Sequence, residues 1–488
     1  MVYTKEYLEK KYKKIKNVAN GFLLKENYEK AIAMYSFAAR YMYSLNFQYA
    51  DDEIEERIEN ISKDVINISG ITHEVEGRVV FYDSYGYDTR GIANIYLKSL
   101  IKMGYMITYV TTQEAEGKIP TIEKILSTRE QNEIQYVNDL QSINGIKSVE
   151  QILKKNSISF LFLYLMPWDL TGISIGNALK DLVPRVMINL VDHGFWLGKN
   201  CFDKLLEFRE YGVRVSLQKR NIEEEKVFYL PYYPNIQKEV EFQGWGRDLS
   251  DKKVVFSGGS LYKTYGKNNI YYKLIQRILM MGEDIVFIYA GEGDTTELVK
   301  LQKKFPNRVL MFKERKDLYE MMRHCRIYIS TYPMIGGLMS QYAAAAGRPP
   351  YTLLYDEGSS GVLLDSERAQ IEYENEDEML EQIRKVLYSD SACKEAYARM
   401  ENQILKEEEF DQALFEIMMN DEHVFKTKNR GPLDTKKFQK TYLERLSRKN
   451  YFKLYGKKER RYWIVARYFP VEFFLGCFYG VIERIRGE

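Results

Sequence analysis

Two doubly wound α/β domains in tandem, preceded by helices and followed by a basic, aromatic tail, are the fold class that the sequence predicts. Three observations carry that expectation. A strand, a glycine-bearing loop and a helix follow one another from Arg78 to Met103 and again from Lys253 to Met281, which is the grammar of a βαβ unit. The strand runs, such as Ser159–Met166 (SFLFLYLM) and Ile285–Tyr289 (IVFIY), are apolar without alternation, as parallel strands covered on both faces should be. The chain has 488 residues, well beyond the roughly 100–200 of one ordinary domain.

Taken in order, the first segment is residues 1–72, read as a helical extension. In Asn27–Tyr49 the residues Tyr28, Ala31, Ile32, Tyr35, Ala38 and Ala39 recur at three- and four-residue spacing, an amphipathic pattern with small residues at a close helix contact. The pattern is similar to one tetratricopeptide-type helix pair, although a true array needs about three copies of some 34 residues. A plain helical preface packed on the next domain is the alternative. At Gly77 the grammar changes, and residues 73–235 read as the first α/β domain. Its strands are expected at Arg78–Asp83, Met106–Thr111, Ser159–Met166 and Arg185–Val191. The stiff Leu230–Pro234 connector (LPYYP) leads into a second α/β domain, residues 236–420. Its strands are expected at Lys253–Phe256, Ile285–Tyr289, Arg308–Phe312 and Arg326–Ser330. Residues 421–488 form the tail.

Composition excludes several classes. The 71 Lys+Arg and 69 Asp+Glu leave a net charge of +2, which argues against a chain that coats nucleic acid. The four cysteines, Cys201, Cys325, Cys393 and Cys477, are isolated and too few for a disulfide scaffold, so a reducing compartment is expected. His73, His193, His324 and His423 are widely spaced, and no CxxC or HExxH pattern occurs, so no metal site is expected. Met1–Lys16 is dense in charge and no run of 18 apolar residues occurs, so the expectation is a cytoplasmic protein. Near-zero charge hides polarity, because Lys436–Arg461 holds eleven basic and two acidic residues.

Chemistry concentrates at loops that follow strands, since open α/β sheets bind ligands beyond the carboxyl ends of their strands. In Arg326–Pro350 (RIYISTYPMIGGLMSQYAAAAGRPP) a strand ends, two glycines permit close backbone approach, and a helix begins. Backbone N–H groups at a helix N-terminus attract anions, and a diphosphate is the natural occupant. Otherwise the glycines only make the turn. In Asn189–Gly198 (NLVDHGFWLG), His193 lies just beyond an apolar strand, where an imidazole of ordinary pKa near 6.5 suits a general base. A structural, hydrogen-bonded histidine is the alternative. Asp192 is its obvious partner, but only if the chain has turned between them, because neighbours in an extended chain point to opposite faces.

The order and spacing of several segments resemble the GT-B glycosyltransferases, over roughly residues 77–420. The segments are Val254–Gly259 (VVFSGG), Gly291–Asp294, Arg308–Leu318 (RVLMFKERKDL) and the strand, GG, helix and Gly347-Arg348-Pro349 stretch. The DHxFWLG pattern at Asp192–Gly198 is also similar to one in bacterial glycosyltransferases of this type. The resemblance implies two Rossmann-like domains facing across a cleft, the first taking acceptor and the second a nucleotide sugar. It assigns Gly258, Gly259, Lys263, Lys313, Gly336, Gly337, Leu338, Ser340 and Gln341 to the donor, with a UDP-sugar favoured as co-substrate and neither cofactor nor metal required. It assigns His193 and Asp192 to catalysis. Asp88, Arg90 and Gly91 in the loop Asp83–Gly91, with Trp168, fall to the acceptor. Asp88 and Arg90 could instead cap the helix beginning at Ile92, and Trp168 could pack in the core.

One departure matters. Many retaining members carry two glutamates around the GG loop, and alignment on Gly347 places Met334 and Tyr342 there. The loop is closer to those of inverting members. The expected activity is thus a hexosyltransferase moving a sugar to a glycan or lipid-linked acceptor in surface polysaccharide synthesis. A protein O- or N-glycosyltransferase is a variant reading, and a non-catalytic relative serving as a binding or scaffold subunit is a second class. A nucleotide-sugar epimerase, which shares the fold, lacks its evident catalytic carboxylates here. The tail, 436–488, is expected to contact an anionic membrane surface or a protein partner, or else to pack back on the first α/β domain.

Overall fold

The computed structural model describes residues 3–88, 92–236, 240–428, 431–456 and 462–486. Packing divides the chain into two units. One comprises Met1–Leu230, Phe410–Leu433 and Leu446–Glu488, the other Pro231–Glu409 and Asp434–Arg445. The helical preface and the terminal helices therefore group with the first sheet.

That unit opens with α1 (Lys5–Leu23), α2 (Tyr28–Leu45) and α3 (Asp52–Val65). Each starts where a side chain caps it: Thr4, Asn27 and Asp51 accept from the backbone N–H of Tyr7, Lys30 and Ile54. Such caps satisfy amides that the helix itself leaves unpaired. Leu8, Tyr12, Ile15 and Ala19 of α1 are buried at four- and three-residue steps, and α1 packs on α2. Asn46 ends α2 in the left-handed conformation (φ 48°), which asparagine tolerates better than most residues. α3 packs on the helix Leu170–Ala178, so the preface is seated on the first α/β layer.

Seven parallel strands build the first sheet: β1 (Thr72–Asp83), β2 (Met106–Thr112), β3 (Glu133–Val137), β4 (Ser157–Tyr164), β5 (Arg185–Ile188), β6 (Lys204–Glu207) and β7 (Val227–Tyr229). Their order is β3-β2-β1-β4-β5-β6-β7. The second sheet holds β8 (Lys253–Gly258), β9 (Ile285–Ala290), β10 (Val309–Phe312), β11 (Ile327–Ile329), β12 (Pro350–Leu353) and β13 (Glu372–Tyr373). Its order is β10-β9-β8-β11-β12-β13, again parallel throughout. Both sheets reverse direction of growth between their first and fourth strands, and that switch point is where open α/β sheets accept ligands.

The tail does not hang free. Tyr451 and Tyr455 are buried, and Tyr455 meets Phe37 edge-on at 5.3 Å between centroids and Tyr41 at 6.2 Å. Lys11 of α1 pairs with buried Glu472. The terminal helices thus pack on the helical preface, a different surface from the first α/β domain that the sequence offered for them.

Candidate active site

His193 sits five residues beyond the end of β5, in a turn. The chain has turned between Asp192 and His193, so the two side chains meet, Nδ1 donating to Oδ1 at 3.0 Å. An ionised carboxylate only accepts, which leaves Nε2 as the basic nitrogen. Burial works to raise the Asp192 carboxyl, but the Arg209 guanidinium and the His193 ring outweigh it and hold it well below the usual carboxylate range. Arg209 grips both carboxylate oxygens, one of them at 3.1 Å. Asp192 is fully buried, whereas 26% of the His193 side chain remains exposed. A partly exposed imidazole oriented by a fixed charge is equipped to take a proton.

The loop is held from below by groups that lie far away in sequence. Buried Arg220 donates to the carbonyls of Val191, Asp192 and Gly194 at 3.2, 3.2 and 2.6 Å. Its guanidinium also stacks on Trp196, 4.6 Å from the ring centre. Asn46 at the end of α2 donates to the His193 carbonyl at 3.0 Å, and Glu55 of α3 accepts from the Gly198 N–H at 2.8 Å. The aromatics of the FWLG stretch are buried anchors. Sequence reasoning missed these supports. Arg209 alone carried a signal, since it follows β6 as His193 follows β5.

Beneath the loop lies Glu207, whose Oε1 accepts from Asn189 at 2.8 Å while Oε2 is buried without a hydrogen bond among the described residues. Burial pushes its carboxyl up to about 7 against the nearby Arg220 charge. Burial likewise raises Glu55 to about 7 and Asp83 and Asp169 to about 6. Over roughly pH 4.5–7 the folded state therefore keeps protons that the unfolded chain has released, and stability falls as pH rises. Melting temperature is expected to be higher at pH 5.5 than at pH 8. Glu207→Gln should make that slope shallower by about one proton's share, up to roughly 1.4 kcal/mol per pH unit. An unchanged slope in the variant would refute the assignment.

The acceptor-side residues fare differently from one another. Asp88 caps, but not the helix that begins after Ile92. It accepts from the N–H groups of Thr121 and Ile122 at 2.8 and 3.2 Å and from the Thr121 hydroxyl at 2.7 Å, at the start of the helix Pro120–Leu126. Its carboxylate is thus committed to the protein. Trp168 faces α2, with the Arg40 guanidinium 4.6 Å from its ring and Tyr43 edge-on at 5.3 Å, so packing is what the structure shows for it. Arg90 and Gly91 lie outside the described residues.

In the second unit the loops after β8 and β11 lie side by side. The Met334 N–H reaches the Lys263 carbonyl at 3.4 Å, and a Cβ on Gly266 would touch Pro333. Gly259 has φ 112°, and a Cβ on Gly291 would collide with its carbonyl oxygen, so these glycines are required by backbone packing itself. Two buried tyrosines hold the turn: Tyr328 donates to the Gly258 carbonyl at 3.2 Å and Tyr289 to the Gly259 carbonyl at 2.9 Å.

Gly336 and Gly337 are another matter. Gly336 precedes the helix Gly337–Ala345, which has no side-chain cap. A Cβ at either position would meet only ordinary contacts, 3.5 Å or more away. Packing alone therefore does not demand glycine there, and no side chain caps the first amides of the helix. Leu338 is half-buried on the first turn and Lys263 half-buried in the facing loop. The Ser340 hydroxyl bonds to Ser330 at 2.7 Å, and the buried Gln341 amide donates to the Val362 carbonyl at 3.2 Å. Both side chains serve the interior, because they fall on the inward side of the helix. Lys313 is exposed directly after β10, two strands from β8 in the sheet order, hence roughly 10 Å to the side. Among the described residues no cluster of three or more His, Cys, Asp or Glu is placed to hold a metal ion.

No protein-family model matches the chain, and no curated protein matches it. Solved structures do. A glycosyltransferase from Rickettsia africae is similar at a TM-score of 0.50 and 12% identity, covering 70% of this chain and 98% of its own. A mutant O-GlcNAc transferase of Thermobaculum terrenum covers 88% of this chain and 81% of its own, at 11% identity and a TM-score of 0.47. A putative UDP-N-acetylglucosamine 2-epimerase from Listeria monocytogenes covers 70% and 95%, at 12% identity and 0.48. Likeness at this identity is likeness of fold. With two parallel, doubly wound sheets, the chain has the GT-B fold.

Proposed function

We propose that this protein is an inverting glycosyltransferase that uses a nucleotide sugar, with a UDP-sugar favoured, and His193 as the general base. The observation that carries the reading is the Asp192–His193 pair, oriented at 3.0 Å and only partly covered, beyond the carboxyl end of β5. In the proposed step, His193 Nε2 takes the proton of an acceptor hydroxyl as its oxygen bonds to the anomeric carbon. The bond from that carbon to the diphosphate breaks, and the electron pair leaves with the phosphate oxygen. In the second unit, the uncapped amides at Gly337 and Leu338, with Lys263, are the proposed partners of the donor's diphosphate. The absence of acidic residues at Met334 and Tyr342 favours inversion over retention. The acceptor is a glycan or lipid-linked glycan of surface polysaccharide synthesis, and the protein works in the cytoplasm.

Proton NMR of the reaction tests this reading. Inverted anomeric configuration in a transferred sugar supports it. Retained configuration, or conversion of the donor sugar into its epimer without transfer, refutes it. The donor end has its own test. Gly337→Ala is expected to leave the melting temperature within about 2 °C of wild type, yet weaken donor binding about tenfold or more by crowding the diphosphate. Unchanged affinity would remove that helix end from the donor site.

A further inference from the structure

The terminal helix Pro470–Arg486 has one face with partners and one that stands open. Its inner face packs on the helix Arg448–Gly456: Gly476 approaches Gly456 too closely for any side chain, and Phe452 stacks on Tyr479 at 6.3 Å and 11°. The other face presents Val471, Phe474, Phe478 and Val481, which are 66, 69, 59 and 55% exposed. Steps of three, four and three residues place them in one row. The short helix Tyr462–Tyr468 beside it holds out Trp463, 88% exposed. Isolated apolar residues on a surface are ordinary, but a contiguous ridge of large ones marks an interaction site.

Charge identifies the occupant. Arg448–Arg467 carries eight Lys and Arg residues against one acid, Glu459. Exposed Lys14 of α1 donates to the Tyr468 carbonyl at 2.9 Å, at the end of the short helix that carries Trp463. A second copy of the chain would set these cations against their own kind, which disfavours self-association through the ridge. We propose that the ridge docks on the anionic headgroup layer of a lipid bilayer, with Trp463, Phe474 and Phe478 entering the interface and the cations lying over phosphates. Among the described residues no helix is long and apolar enough to cross a membrane, so the contact lies in the plane of the surface. The proposal holds whether or not the transferase reading does.

Co-sedimentation of the full chain with phosphatidylcholine vesicles, with and without phosphatidylglycerol and with no nucleotide present, tests it. Binding to the anionic vesicles is expected to exceed binding to neutral ones by about tenfold or more and to fall as salt is added. A Phe474→Ser/Phe478→Ser double variant should lose most of that binding. It should keep the wild-type melting temperature, because both rings are exposed. Three results would overturn the proposal: no binding to anionic vesicles, equal binding to neutral ones, or a wild-type dimer that the double variant dissociates.

Discussion

Replacing His193 with alanine is expected to lower sugar transfer by about a hundred- to ten-thousandfold, the range general-base catalysis supplies. Affinity for the nucleotide sugar should stay within about threefold, because the proposed donor determinants lie in the other packing unit. The fold should tolerate the change, since the ring is partly exposed. Asp192→Asn tests the same pair from the other side. It removes the charge that stabilises the imidazolium and leaves the Arg209 guanidinium without its carboxylate. Transfer should fall and the melting temperature should fall with it, whereas His193→Ala lowers transfer alone. Unchanged transfer in His193→Ala would remove His193 from the role of base. Steady-state rates and donor titrations on the same samples separate these outcomes.

Arg220→Leu is expected to be the most destabilising single substitution at this site. The side chain is 1% exposed and donates to three loop carbonyls and to the Ser216 hydroxyl. Leucine would leave those carbonyls buried without donors and take the nearby positive charge from Glu207. Breaking a buried charged network costs about 3–5 kcal/mol, which for a unit of this size lowers the melting temperature on the order of 10 °C. Arg220→Lys should fall between, because one ammonium cannot span the three carbonyls that a planar guanidinium reaches. Differential scanning calorimetry reads both. A melting temperature within 2 °C of wild type for Arg220→Leu, by the same rough scale, would show that the loop stands without this support.

The two sheets were legible because their central strands are buried on both faces and therefore read as unbroken apolar runs. Strands β3 (EIQYV) and β13 (EY) escaped notice. Each lies at a sheet edge and is only partly covered, so its pattern is mixed. β6 and β7 are too short to stand out. At the site, His193 could be found because it follows a strand, and a strand's carboxyl end is fixed by the sequence pattern alone. Arg220, Asn46 and Glu55 could not, since tertiary packing brings them to the loop from 26, 147 and 143 positions away. The inward turn of the Ser340 and Gln341 side chains was hidden for a related reason. They share the helix with Gly337, but helical rotation turns them toward Ser330 and Val362. The ridge on the terminal helix was visible only as composition until packing showed which face remained open.

Isothermal titration of the wild-type protein with UDP-, GDP- and CMP-sugars tests the central claim most directly. The account predicts saturable one-to-one binding of at least one of them, a UDP-sugar first, that Gly337→Ala weakens and His193→Ala spares. Binding of none, or binding that Gly337→Ala leaves intact and His193→Ala abolishes, would contradict it.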